Sequence, residues 1–307
     1  MNTKIKKKVI WKEAIPIYVL ALPGLIYLII NNYLPMFGIL IAFKKMDFQK
    51  GILKSSWNGL NNFRFLFMSK DSSIILRNTL LYNVAFFITG TVFAILLAIL
   101  INELMSAKAK KLYQTIILLP YLMSWVVVGY LSYAYLAPQT GLFNVISKAM
   151  GTKQVNFFMT KKYWPYILTF VNLWKGVGYS MIIYLSSVIS INPEYYEAAK
   201  IDGASKWKCV TKITLPLIKP TFITLFILSV GQVFRSDFGL FYQVPRDSGM
   251  LYSVTRTIDV YVYQALMKNS DYAMSSAASV FQSICGFVLI ISANLLVRRH
   301  QKSAALF

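Results

Sequence analysis

The chain has 307 residues, of which 57% are hydrophobic, 15% aromatic and only 14% charged, against about 45–50% apolar and about 25% charged in soluble domains. That composition excludes an ordinary soluble globule and points to a membrane protein. The formal charge of +21 would suit nucleic acid on one continuous basic face, but here the basic residues are spread over every loop, which suits lipid headgroups and excludes a nucleic-acid module. The single histidine, His300, leaves no basis for histidine acid-base chemistry or a His-rich metal site. Cys209 falls in a basic polar loop and Cys285 in an apolar run, so both read as packing residues rather than a disulfide.

A hydrocarbon core about 30 Å thick takes roughly 20 apolar residues as helix. Six runs fit, at 15–43, 80–102, 112–137, 163–191, 220–244 and 273–297. The first follows the basic stretch Lys4 to Lys8 and is too long for a signal-peptide core, so it is expected to stay as a span, bent at Pro23 and Pro35. An even number of spans puts both termini on one side of the membrane. Lys and Arg are denser in the N-terminus, 103–111, 192–219 and the tail than in 44–79, 138–162 and 245–272, and the clusters Lys6-Lys7-Lys8 and Arg298-Arg299 abut spans directly. The expectation is cytoplasmic termini. Neither a soluble domain nor a Walker-type phosphate loop occurs, so any energy source must lie outside the chain.

The segment 192–219, between the fourth and fifth runs, carries the sharpest signal. Asn192 is a good N-cap, Pro193 suits a first helical turn and Glu194 favours the positive end of the helix dipole. Asp202-Gly203 then stops that helix, and a second can restart near Ser205 and run toward Pro216. The product is a helix-turn-helix on the cytoplasmic face. Ala198 and Ala199 give it low relief and Glu197 a charge, which makes a docking knob for a partner. An amphipathic surface loop would account for the polarity but not for the spacing. Glu197-Ala198-Ala199, three residues, Gly203, nine residues, Ile213, one residue, Leu215-Pro216 would recur by chance on the order of once in a million chains at ordinary residue usage.

That spacing resembles the signature of the inner-membrane permeases of ABC importers, and the chain is most similar to the carbohydrate type that takes up oligo- or polysaccharides. Weaker elements of the resemblance are Trp57 to Phe63, Arg77-Asn78-Thr79, Ile191-Asn192-Pro193 and Phe238 to Tyr242. It implies an all-α membrane protein of the type I importer architecture, with six transmembrane helices in a single permease domain over 1–307. The segment 192–219 would be the coupling loop, with Glu197 as polar contact and Gly203 as its turn, beside Ala198, Ala199, Asp202, Ile213, Leu215 and Pro216. Implied partners are a homologous second permease, a cytoplasmic ATPase dimer that carries the ATP and magnesium, an extracytoplasmic solute-binding protein, the glycan and the bilayer of a bacterial plasma membrane. No cofactor would sit on this chain, and it would not itself be an enzyme.

Polar groups inside spans are costly and tend to face cavities, which singles out Asn83, Asn172, Lys175, Gln232, Arg235 and Asp237. Sugars also stack on aromatic faces, for which Tyr82, Trp125, Tyr133, Trp174 and Tyr179 are candidates; the competing role for such aromatics is an interfacial belt. Arg235 and Asp237, two residues apart, do not share a helical face; pairing with the partner subunit and a break of the fifth span, with a local unwinding there, are both open. Alternatives are the same importer class with a non-carbohydrate cargo, since the loop is common to all cargoes, and a secondary transporter. The latter uses ion-coordinating carboxylates near the midplane, whereas Asp237 is the one carboxylate placed in a span.

Overall fold

The computed structural model describes residues 11–68, 70–300 and Leu306; the basic cluster Lys6-Lys7-Lys8 lies outside them. Helices dominate the described residues. In chain order they are α1 (Trp11–Leu28), α2 (Lys70–Glu103), α3 (Ala107–Leu118), α4 (Trp125–Leu136), α5 (Leu142–Ala149), α6 (Trp164–Ile189), α7 (Glu194–Ile201), α8 (Lys206–Cys209), α9 (Lys219–Gly231), α10 (Phe238–Gln243), α11 (Ile258–Asn269) and α12 (Tyr272–His300), joined by single turns. Both cysteines are free thiols, and Cys209 is buried.

Three stretches are long and apolar enough to cross a bilayer as single helices: Tyr18–Phe43, Asp71–Glu103 and Tyr272–Arg299. Pro23 sits inside α1, and Pro35 opens a tighter 3-10 segment, Leu34–Phe43, after a π turn at Ile29–Tyr33. Neither proline divides the span: the α-helix runs on past Pro23, and at Pro35 the change is one of hydrogen-bonding pitch. The third and fifth predicted spans are not continuous. Ala107–Leu122 meets Trp125–Leu136 at 96°, within the third. The fifth, 220–244, starts just past a 54° bend between Lys206–Leu217 and Lys219–Gly231 and breaks after Gly231, where residues 232–237 leave the helix before α10 begins. The fourth predicted span is the 26-residue helix α6, but Asn172, Lys175 and its serines make it less apolar than the three long stretches. Protein covers one face of it: Trp164, Leu168, Met181 and Tyr184 are at most 1% exposed, whereas Tyr166, Phe170 and Ile189 are open. A helix face covered by protein can carry polar groups that lipid would reject.

Inside lipid, helices associate through close packing and satisfied polar groups rather than water exclusion. α2 and α6 lie along each other with Ala94 and Ala98 of α2, one turn apart, in a core with Met181, Leu185 and Val188 of α6. α3 crosses α6 at Gly178, where an added Cβ would stand 2.3 Å from the Ile117 carbonyl oxygen. A second core lies at the other end of α6, where Trp164 and Leu168 pack with Tyr82, Val128, Phe241 and Leu251.

The weaker sequence motifs turn out to be fasteners. Arg77 Nη2 donates to Ser253 O, Asn78 Nδ2 to Arg256 O, and Thr79 Oγ1 accepts the Ile258 N–H, which ties α2 to the segment before α11. Asn62 Nδ2 donates to Ala42 O and Lys44 O, holding the 44–63 excursion against the end of the first span.

Candidate functional site

Two places stand out: the surface of α7 and a cavity walled by α2, α6 and α9. α7 is built by local chemistry. The Asn192 carboxamide accepts the Glu194 N–H at 3.1 Å and donates to its carboxylate at 3.0 Å. At the other end Gly203 adopts φ +73°. Its N–H reaches Lys200 O at 3.0 Å, and the Ala204 N–H reaches Ala199 O at 2.8 Å, the paired bonds of a Schellman cap. Ser205 then caps α8, its Oγ accepting the Lys208 N–H.

Tyr196 and Ala199, three residues apart, turn partly inward, while Glu197, Ala198, Lys200 and Asp202 stay open. Ile201 is 87% exposed and Trp207 74% exposed, so the knob carries apolar surface that none of the described residues covers. Ile213 packs on the core around Met181, whereas Leu215 and Pro216 remain exposed. Two contacts fasten the knob to the helices behind it. The Tyr196 and Thr214 hydroxyls share a hydrogen bond of 2.9 Å, and Lys206 pairs with Glu103 at the end of α2, also at 2.9 Å. The carboxylate beside it raises the Lys206 pKa.

The cavity holds about 720 Å³. Asn83, Asn172, Gln232 and Asp237 line it, as do Phe86, Phe87, Thr91, Ser180, Tyr184, Phe226 and Ser229. The buried Tyr184 hydroxyl faces Thr91 without a hydrogen bond of good geometry. Sequence reasoning singled out the first four. It passed over the phenylalanines, because an apolar ring in an apolar run carries no sign of whether it meets lipid or a cavity.

Of the options open for Arg235 and Asp237, the structure shows the break: residues 232–237 leave the helix, and side chains from three other helices hold them. Asn83 Nδ2 donates to Val233 O (3.0 Å) and Arg235 O (2.7 Å), Gln282 Nε2 donates to Phe234 O (2.8 Å), and Asp259 accepts the Ser236 N–H (2.6 Å). Backbone groups freed within a bilayer need such partners. Asp237 caps α10 by accepting the Leu240 N–H and also accepts from Trp125 Nε1 at 2.8 Å. Trp125 begins α4, just past the break at Leu119–Leu122, so this bond joins the two breaks. Lys175 supports the same junction. It is only 8% exposed, donates to Tyr121 O at 2.9 Å, and sits over the Tyr121 and Trp125 rings.

The remaining candidates lie away from the cavity lining. Tyr82 is in the core around Trp164, its hydroxyl on Val254 O at 2.7 Å, and Trp174 packs against that core. Lys175 is engaged at the break, because a buried ammonium takes the nearest free carbonyl. Tyr179 stacks on Tyr121, Tyr133 lies under Arg246, and the exposed Arg235 donates from its guanidinium to Ser283 Oγ. These six, and Trp125 at the helix break, do not line the cavity because packing and helix-break satisfaction claim them, or because they face elsewhere.

The model of the family described as binding-protein-dependent transport system inner membrane component matches residues 90–303. The polygalacturonan/rhamnogalacturonan transport system permease protein YteP of Bacillus subtilis is 36% identical, over 92% of this chain and 88% of that protein. The structure is similar to a crystal structure of a bacterial ABC transporter involved in the import of the acidic polysaccharide alginate, with a TM-score of 0.85, 31% identity, and 96% and 100% of the two chains covered. A second alginate transporter structure, in complex with an alginate pentasaccharide-bound periplasmic protein, matches at the same TM-score and identity over 96% and 99%.

Proposed function

The chain belongs to the family of binding-protein-dependent transport system inner membrane components, and from that membership we propose that it is one of two permease subunits of an ATP-driven importer for an acidic oligosaccharide. The observation that carries the coupling is the exposed, rigidly capped α7, whose Glu197, Ala198 and Ile201 stay uncovered. It docks in a cytoplasmic ATPase, so both chain termini are cytoplasmic and the 245–272 end faces outward. ATP and magnesium reside on the ATPase, and this chain contributes no catalytic group.

Closure of the ATPase dimer displaces α7. The Tyr196–Thr214 bond passes that displacement to the turns leading into α9, and Lys206–Glu103 passes it to α2. α2 and α9 are two of the three cavity walls, so movement at the knob reshapes the cavity. A solute-binding protein delivers cargo at the opposite end. The acidic cargo is supported by the relatives that act on acidic polysaccharides, polygalacturonan/rhamnogalacturonan and alginate.

Reconstitution of this chain in nanodiscs with its second permease, ATPase and binding protein tests the reading. Hydrolysis stimulated by binding protein loaded with uronate oligosaccharides is expected. Stimulation only by a peptide or other non-glycan cargo would keep the coupling and overturn the cargo.

A further inference from the structure

At the end of the fold remote from α7, the turn Pro245 to Ser248 is closed by the Ser248 N–H on Pro245 O and places both central residues at positive φ, Arg246 at 55° and Asp247 at 48°. Glycine, asparagine and aspartate are the residues such turns favour; arginine is not, and left-handed strain at a non-glycine residue directs attention to function. The strain at Asp247 is matched by bonding within the fold. Its carboxylate accepts from Tyr252 OH and Gln264 Nε2 and pairs with Lys268 at 2.7 Å. No such compensation exists at Arg246. Its guanidinium lies 4.2 Å from the Tyr133 ring centre and 5.9 Å from that of Tyr130 and has no hydrogen bond or ion pair among the described residues.

Beside it is a pocket of about 220 Å³ lined by Val126, Gly129, Tyr130, Tyr242, Gln243 and Arg246. The pocket is shaped by close approach at Gly129, where a Cβ would stand 2.9 Å from the Gln243 carbonyl oxygen. A guanidinium laid flat on a ring keeps its edge N–H groups free for a carboxylate, and tyrosine rings suit the C–H face of a sugar. Asp247 also borders the pocket, but Lys268 offsets its charge.

We propose that this pocket is an entry subsite for one carboxylate-bearing sugar of the cargo, with Arg246 taking the carboxylate and Tyr130 and Tyr242 the ring. The inference rests on the acidic-glycan reading above, and its test separates the two. Binding of trigalacturonate and of its methyl ester to the assembled transporter, without binding protein, is measured by calorimetry for the wild type, Arg246→Gly and Arg246→Lys. The wild type should bind the acid about tenfold more tightly than the ester, as one charge-assisted contact at a partly open site allows. Arg246→Gly should lose that preference while its melting temperature stays at or above that of the wild type, since glycine relieves the strain; Arg246→Lys should keep part of it. Equal binding of acid and ester by the wild type, or unchanged preference in Arg246→Gly, overturns the subsite whether or not glycans stimulate hydrolysis. If Arg246→Gly instead releases the binding protein with sugar binding unaltered, the pocket is a protein contact and the subsite is likewise refuted.

Discussion

Substitution at Gly203 separates backbone geometry from side-chain contact at the coupling turn. An added Cβ there meets nothing within 4 Å, so steric overlap is absent and the whole effect comes from φ +73°. A left-handed conformation costs an ordinary L-residue about 1–2 kcal/mol, a factor of about 5 to 30 in the local equilibrium; asparagine visits that region at lower cost. Proline cannot reach it and also lacks the N–H that bonds Lys200 O. Glycan-stimulated ATP hydrolysis in nanodiscs should therefore fall in the order glycine, asparagine, alanine, proline. Asn should retain most of the stimulation, Ala lose several-fold and Pro lose all of it, with equal amounts of permease in the membrane. Equal loss in Asn and Ala, or full activity in Pro, would refute the claim that the left-handed turn sets the geometry of docking.

Three further outcomes follow from the same geometry. Glu197→Lys, on the open face of α7, should abolish ATPase co-purification without lowering membrane insertion; retention of the ATPase would remove Glu197 from the docking surface. Asn83→Leu removes the donor to the Val233 and Arg235 carbonyls and should destabilise the detergent-solubilised protein by about 1–2 kcal/mol, the net worth of two partly exposed hydrogen bonds; an unchanged melting temperature would mean that water replaces the carboxamide. Gly239→Ala would place a Cβ 2.1 Å from Trp125 Cδ1, so it should displace the indole from Asp237 at about 1–3 kcal/mol and slow transport more than it lowers the amount of protein. Trp125→Phe, which keeps an aromatic ring but removes the hydrogen bond to Asp237, should reproduce part of the transport defect.

What the sequence disclosed and what it concealed divide along physical lines. α7 was legible because its ends are decided locally: Asn192, Gly203 and Ser205 each act on backbone groups within five residues. The helical runs were legible because bilayer thickness sets their length. The two breaks were less so. In the apolar run 112–137, Pro120 and the N-cap Ser124 mark the break locally, but not its 96° angle, since the Tyr121 carbonyl at the break is satisfied by Lys175, 54 positions away. At Arg235 and Asp237 the spacing left a break of the span and pairing with a partner subunit both open; the clamps that decide for the break, Asn83, Asp259 and Gln282, come from distant helices. Asn83 was flagged as a cavity residue and serves both purposes. Phe86, Phe87 and Phe226 could be recognised as cavity walls only once α2, α6 and α9 were placed together.

The central claim is that α7 transmits ATPase motion to the cavity walls. A photoreactive phenylalanine in place of Ala198, an exposed residue at the middle of that helix, tests it in the assembled complex of all subunits. The account predicts an adduct with the ATPase whose yield changes between the nucleotide-free and ATP-bound states. An adduct with the solute-binding protein, or none with the ATPase in either state, would contradict it.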